Sequence, residues 1–375
     1  MRRLLQNLLV LAVSTLICAL GLEGFLRLRH VDLSFSMPDR TIGFRLRPNA
    51  RYRWTEEGFS EGRINPDGWR DATHAATKRP GTTRILFCGD SYTEALQVPL
   101  DSTFHRRLER QLDPRAGAGR HVEVIALGRS GMGTTEELLT YEKWGRRYQP
   151  DVVAVLFVLN DFTDNTKGLD PHPDIRPYFV FSGDTLALDT SFVNSSAFRA
   201  RVRLDPLKAR SRLIALATKS WNDWRARRAF ARSVAANPAP STPFEFDSRV
   251  PPDSVPAFRI TAAVLARFAR EVHMDGRRFV LFVAGDARQE DARQVADAAR
   301  DPAFDPDRPE RFLAGVGARE GFDVVPLAPA FRAASAAGSG PFWYRLNVAY
   351  GHWNSVGHAL AAAVMAHYFE SMHGL

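Results

Sequence analysis

Three apolar runs that stop abruptly at small or polar residues constrain this chain most. Residues 85–88 run into Gly89-Asp90-Ser91, residues 122–127 into Gly128-Arg129-Ser130-Gly131-Met132-Gly133, and residues 152–159 into Asn160-Asp161. Each has the length of a buried strand, and none alternates cleanly with polar residues, which is the pattern of strands covered on both faces. Helical signals follow. Phe104, Leu108 and Leu112 recur at four-residue spacing, and Thr134 with Glu137 has the form of a capping box opening a second helix. Residues 278–284 and 323–327 predict a fourth and a fifth strand, with helices over 291–299 and 308–319. Strands alternating with helices imply a parallel sheet with helices on both faces.

A parallel sheet of this kind places ligands at the carboxyl ends of its strands. Ser91, Gly131 and Asn160 all fall at such ends, and His352, in AYGHWNSVGH, stands just ahead of a final helix marked by Leu360, Val364 and Tyr368. Serine is a weak nucleophile at its free pKa and needs a base within hydrogen-bond reach, which a histidine supplies. The oxyanion formed on attack needs fixed donors, and the backbone N–H groups of Ser91 and Gly131 with the amide of Asn160 are of the right type. Together these parts describe acyl transfer. The blander readings are a turn or cap serine at Ser91, a turn at Asn160-Asp161, a surface turn histidine at His352, packing for His358 and a bracing role for Asp90. A metal site is not expected, because His352 and His358 lack the four-residue helical spacing and nearby acids. A dinucleotide site is not expected either, since the glycines of 128–133 read GxxGxG rather than GxGxxG.

The remaining stretches set the domain organisation. Residues 1–30 hold a basic tip and a charge-free run from Leu8 to Leu22, and counting from Leu4 gives about 19 residues, near what a bilayer requires. An uncleaved signal anchor through residues 4–22 is expected, with a cleaved signal peptide as the rival, and either exports the body. Residues 31–80 read as a turn-rich, β-containing arm without chemistry, and 81–375 as the main domain, interrupted by an insertion over 162–256. The insertion holds an expected hairpin near 178–188 and a basic helical stretch over 207–235, with Arg210, Arg212, Lys219, Arg225, Arg227, Arg228 and Arg232, ended by Pro238, Pro240 and Pro243. Its first reading is a solvated helix face, with anionic lipid or an acidic polymer as the second. The 375 residues suffice for one large core with such an insertion or for two modest domains. The net charge of +8 fits nucleic acid, anionic lipid, acidic polysaccharide or simply an arginine-rich composition. The last is preferred, and nucleic acid is not expected for an exported protein. Of the two cysteines, Cys18 lies in the apolar segment and Cys88 in the first strand, so no internal disulfide or zinc site is expected.

The blocks Gly89-Asp90-Ser91, Gly131 within LGRSGMGT, Asn160-Asp161 and His352 within GHWNSVGH, in this order, resemble the four blocks of the SGNH (GDSL) hydrolase superfamily, over about three quarters of the chain. The resemblance implies a flavodoxin-like three-layer α/β/α sandwich with a five-stranded parallel sheet, serine esterase or acyltransferase chemistry and no cofactor. Carried over, Ser91 is the nucleophile and an oxyanion donor, Gly131 and Asn160 are oxyanion donors, and His352 is the base. Similar membrane-anchored bacterial proteins are linked to modification of cell-surface polysaccharide. The resemblance therefore implies an esterase that removes acetyl from a cell-envelope carbohydrate, from an inner-membrane anchor with the catalytic domain in the periplasm. The alternatives are an O-acetyltransferase of an exported polysaccharide, with a membrane-bound acyl-transfer partner, and a non-catalytic carbohydrate-binding or assembly protein. Trp353 and Phe342 are the aromatic residues expected to wall an acceptor groove.

The departure from the family lies before the histidine. Relatives usually carry an aspartate two or three residues ahead of it, where this chain has Tyr350 and Ala349. That acid orients the imidazole and stabilises its charged form. Three readings follow: a Ser-His dyad with His352 oriented by a carbonyl, replacement by a distant acid such as Asp286 after the fourth strand, or a catalytically weak site.

Overall fold

The computed structural model describes residues 2–28, 33–113, 121–171, 173–236, 242–345 and 350–372. An N-terminal helix α1 (Arg2–Leu28) precedes two antiparallel hairpins, β1 (Ser36–Asp39) with β2 (Gly43–Leu46) and β3 (Arg51–Trp54) with β4 (Ser60–Arg63). The core then begins with β5 (Thr82–Gly89), the four-residue α2 (Ser91–Glu94), α3 (Phe104–Leu112), β6 (His121–Gly128), α4 (Thr134–Thr140), β7 (Val152–Val158) and α5 (Asp161–Asp164). The insertion carries the hairpin β8 (Tyr178–Ser182) and β9 (Thr185–Asp189), then α6 (Ser196–Arg210) and α7 (Arg212–Ala236). The core resumes with α8 (Pro256–Met274), β10 (Arg278–Ala284), α9 (Ala287–Glu290), α10 (Ala292–Ala298), α11 (Arg308–Glu320), β11 (Asp323–Pro326) and α12 (Ala328–Ala336). It closes with the hairpin β12 (Trp343–Arg345) and β13 (Tyr350–Trp353) and with α13 (Ser355–Ser371). Pro238, Pro240 and Ala349, and the side chains of Arg227, Arg232 and Tyr350, lie outside the described residues.

The five core strands form one parallel sheet in the order β11-β10-β7-β5-β6, with β5 paired to both β6 and β7. In order of appearance this is the flavodoxin-like 2-1-3-4-5 arrangement, whose switch point lies beside the first strand. Strand pleat explains the three layers, because successive residues face opposite sides. Leu86, Cys88, Val153, Val155 and Phe157 pack with Leu138 of α4, Phe258 and Phe268 of α8 and Leu313 of α11. Ile85, Phe87, Ala154 and Leu156 pack on the other face with Phe104 and Leu108 of α3, Phe331 of α12 and Met365 and Phe369 of α13. All seven residues of β7 are buried, so its run without alternation is what a central strand between two helical layers requires.

One expectation shifts. The capping-box pair sits one residue earlier than expected: Gly133 is the N-cap of α4, and its N–H donates to Glu136 at 3.1 Å. Glu137 is instead wholly buried, with neither carboxylate oxygen hydrogen-bonded. The basic helical stretch of the insertion is two helices broken at Ser211.

The arm over 31–80 is built into the body. Ile42 and Trp69 belong to the main core, where Trp69 meets Trp144 edge-on at 5.8 Å. Arg70 is buried and donates to the carbonyls of Glu94 (2.8 Å), Ala95 (2.9 Å) and Val98 (2.6 Å) and to the Tyr52 hydroxyl (2.6 Å). The Ser60 hydroxyl donates to the Leu96 carbonyl. One arm thus satisfies the backbone of the loop that follows α2. Arg70→Met leaves these buried acceptors without donors and is expected to lower the unfolding free energy by about 3 kcal/mol or more. A urea titration followed by tryptophan emission would show this as a lower midpoint, and an unchanged midpoint would refute it.

Candidate active site

Gly89 ends β5 where a Cβ would overlap the Thr93 hydroxyl, so the chain can turn sharply into α2 only without a side chain there. Asp90 is the N-cap of α2 and accepts from the Tyr92 N–H at 2.9 Å. Ser91 is the first helical residue, so its N–H is among the donors that a helix start leaves without an intrahelical partner. Its Oγ lies 2.8 Å from His352 Nε2 and 3.2 Å from Asp90 Oδ2.

His352 sits on β13, and the third member of the chain comes from the arm. Glu57, in the turn between β3 and β4, lies with Oε2 at 2.6 Å from His352 Nδ1, while its Oε1 accepts from the His352 backbone N–H. Both carboxylate oxygens therefore hold one residue. The Glu57 side chain is only 6% exposed, against 34% for His352, so the charge pair is shielded from water on the carboxylate side. With Glu57 accepting from Nδ1–H, Nε2 is left as the acceptor for the Ser91 hydroxyl proton. Burial works against the imidazolium, but the Glu57 hydrogen bond and charge, with Asp90 and Glu94 adding to them, raise the His352 pKa above its ordinary value.

Two glycines make this approach feasible. Gly58, at φ +61, takes the left-handed turn after Glu57, and a Cβ there would meet the Gln97 carbonyl and the Tyr344 ring. A Cβ on Gly351 would overlap Glu57 Oε1 itself.

Gly131 is at φ +71 in the turn after β6, with open space where a side chain would project. This turn is tied to α2 through Glu94, whose Oε2 accepts from the Ser130 N–H at 2.5 Å and from the Ser130 hydroxyl. It is tied to the insertion through Arg176, which donates to the Gly131 carbonyl and to Glu136 and Asp170. Asn160 Nδ2 donates to Asp164 Oδ2 at 2.9 Å and reaches Asp90 Oδ2 at 3.4 Å. The four blocks thus meet at one sheet edge: Ser91 and His352 by direct hydrogen bond, Asn160 through Asp90, and Gly131 through Ser130 and Glu94.

Beneath this edge lies a layer of buried acids. Burial raises the Asp90 and Glu94 pKa values, and burial together with their neighbours' charges raises Glu137 and Asp161 well above the carboxylate range.

Other residues singled out in the sequence stand elsewhere. Asp286 caps α9, accepting from the Arg288 N–H at 2.7 Å and pairing with its guanidinium, and no hydrogen bond links it to His352. The carboxylate facing Nδ1 is Glu57, in the arm where no chemistry is expected from the sequence. His358 is buried at the start of α13, where Nδ1 accepts from the Phe104 N–H at 3.2 Å, and burial lowers its pKa well below the usual range. Trp353 and Phe342 do not wall a groove: both are core residues, with Trp353 stacked on Phe331 at 5.2 Å. Only a polar residue followed by glycine, Glu57-Gly58, marked the missing acid in sequence, a pattern too common to single out. Among the described residues, no group of three or more histidine, cysteine or acidic side chains is arranged to hold a metal ion.

No family model matches the chain, and no curated protein matches it. Among solved structures, the acetyl xylan esterase AlAXEase is 11% identical with a TM-score of 0.41, covering 77% of this chain and 100% of its own. LAE5, an alpha/beta hydrolase enzyme from the metagenome of Lake Arreo in Spain, is 14% identical with a TM-score of 0.41, covering 77% of this chain and 95% of its own. A catalytic mutant of the acetylxylan esterase Axe2 from Geobacillus stearothermophilus is 12% identical with a TM-score of 0.41, over 77% of this chain and 95% of its own. What the site can do therefore rests on its own geometry.

Because Glu57 raises the His352 pKa, the base should become neutral only above the ordinary histidine value of about 6.5. The acid limb of kcat/KM against pH is expected above that value for the native chain, with activity falling as pH drops through it. Glu57→Gln should move the limb to lower pH and cut the rate by about a hundredfold or more. A limb that stays in place would show that Glu57 does not govern the imidazole. Gly351→Ala, which displaces the carboxylate, should reproduce both changes.

Proposed function

We propose that this chain is a serine esterase of the SGNH type that removes an ester-linked acyl group, acetyl in the first instance, from a cell-envelope carbohydrate. The observation that carries the reading is the continuous chain from Glu57 through His352 to Ser91, with links of 2.6 and 2.8 Å. In this reading His352 Nε2 takes the Ser91 proton as Oγ attacks the ester carbonyl, and the buried Glu57 carboxylate stabilises the imidazolium that forms. The Ser91 and Gly131 N–H groups and the Asn160 amide receive the oxyanion. The imidazolium then gives its proton to the departing sugar oxygen. Water, deprotonated by the same nitrogen, attacks the acyl-serine and releases the acid.

The weak-site and binding-only alternatives drew their force from a missing carboxylate, and Glu57 within hydrogen-bond distance of Nδ1 supports the catalytic reading over them. The carbohydrate and its envelope setting are inferred from the resemblance together with the apolar N-terminal helix. That helix, α1, is long and apolar enough to cross a membrane, with none of its residues buried. We take it to be a signal anchor that holds the domain on the outer side of the inner membrane.

The test is turnover of p-nitrophenyl acetate and of acetylated oligosaccharides by the full chain in detergent. Ser91→Ala and His352→Ala are each expected to lower kcat by about a thousandfold or more, whereas Asp286→Ala leaves it within about twofold. Wild-type turnover no faster than that of Ser91→Ala on every ester tried would overturn the reading.

A further inference from the structure

Helix α7 presents an unusual face. Ile214, Trp221, Trp224, Arg225 and Arg228 are exposed and recur at helical spacing. The rings of Trp221 and Trp224 stack at 5.0 Å, and the Arg228 guanidinium lies 4.6 Å from the Trp224 ring centre. The preceding helix α6 adds exposed Val202, Leu204 and Leu207. Two exposed tryptophans flanked by arginines form more apolar surface than a merely solvated face needs.

The attachment of α7 shows what this face meets. Glu23, near the end of α1, accepts from the Ser211 hydroxyl at 2.9 Å and from the N–H groups of Leu213 at 2.9 Å and Arg212 at 3.1 Å, so a carboxylate from α1 caps the first turn of α7. Arg27 completes the joint by pairing with Glu23 at 2.7 Å and donating to the Arg210 carbonyl. On α1 only Ala19, Glu23 and Leu26 are half-buried, a single stripe, and residues 2–18 are exposed. Helix α7 thus meets the last turns of α1, from Ala19 on, and leaves residues 2–18 of the apolar helix uncovered. The expected span, 4–22, is about 28 Å long at 1.5 Å per residue, close to the thickness of the hydrocarbon core, which sets Glu23 at its edge. At a second point Lys219 pairs with Glu56 at 2.9 Å, next to Glu57, so α7 lies between the membrane exit of α1 and the arm.

We propose that α6 and α7 rest on the surface of the bilayer that α1 crosses, with Trp221 and Trp224 at headgroup level and Arg225 and Arg228 on anionic headgroups. The inference rests on the reading of α1 as a membrane anchor. Indole rings favour the boundary between hydrocarbon and water, and arginine side chains favour a negatively charged leaflet. The contact is continuous with the anchor, so forming it costs little beyond the insertion of α1 itself.

The test uses the full chain in nanodiscs of phosphatidylcholine with a minority of phosphatidylglycerol, made with and without acyl chains brominated near the headgroup. The emission lost in the Trp221→Phe/Trp224→Phe variant reports on the two indoles. Bromine is expected to quench that component roughly twofold. Arg225→Glu/Arg228→Glu should weaken the quenching in discs with phosphatidylglycerol and leave it unchanged in pure phosphatidylcholine. Neither double variant should alter p-nitrophenyl acetate turnover, since neither touches the site. An unquenched pair in a chain that stays in the discs overturns the proposal and leaves the face to an acidic polymer or a protein partner. A chain that washes off native membranes at alkaline pH removes the anchor reading and the proposal with it, which separates the two failures.

Discussion

The two hydrogen bonds that Glu57 accepts from His352 are the interaction on which the site depends. One carboxylate, shielded from water, holds both the backbone N–H and Nδ1 of a single histidine, so it fixes the position of β13 and the tautomer of the ring together. A buried carboxylate without a partner would be costly. Here its partner is a cation in waiting, and the raised pKa of His352 is the same electrostatics seen from the other side.

That arrangement explains why the arm is packed as core. A carboxylate delivered from a hairpin outside the sheet orients an imidazole only if the hairpin cannot drift. Arg70 and Ser60 bind the loop after α2, Gly58 and Gly351 remove the side chains that would keep Glu57 away, and Trp69 locks the arm against α4 and its continuation. Ser91 and Glu57 are thereby braced by the same contacts. A similar economy runs through the turn after β6, where Glu94 from α2 and Arg176 from the insertion hold the peptide on either side of Gly131.

The insertion joins this scheme from the side of α1. Glu23 of α1 caps α7, and α7 reaches the hairpin of Glu57 through Lys219 and Glu56. Chain segments far apart in sequence thus form one path from the apolar helix to the site. The surface ion pair on that path is worth little by itself. Its value here is positional, as one of two fixed points on α7.

The sequence alone determined the parallel sheet and the position of each residue at its edge. Strand runs such as 152–158 carry their burial in their own composition, and Ser91, Gly131, Asn160 and His352 each follow a strand or precede a helix by local rules of period and turn chemistry. The capping of α4 by Gly133 rather than Thr134 shows the limit of that precision, because which of two neighbouring acids folds back depends on what surrounds them. The partner of His352 was decided by tertiary structure only. Glu57 and His352 are separated by most of the chain, and nothing in the local pattern of either marks Glu57 as the partner of His352 rather than an ordinary turn residue. A hydrogen bond between distant segments is a property of packing, and it becomes visible only once two glycines and a buried arginine have brought the hairpin to the sheet.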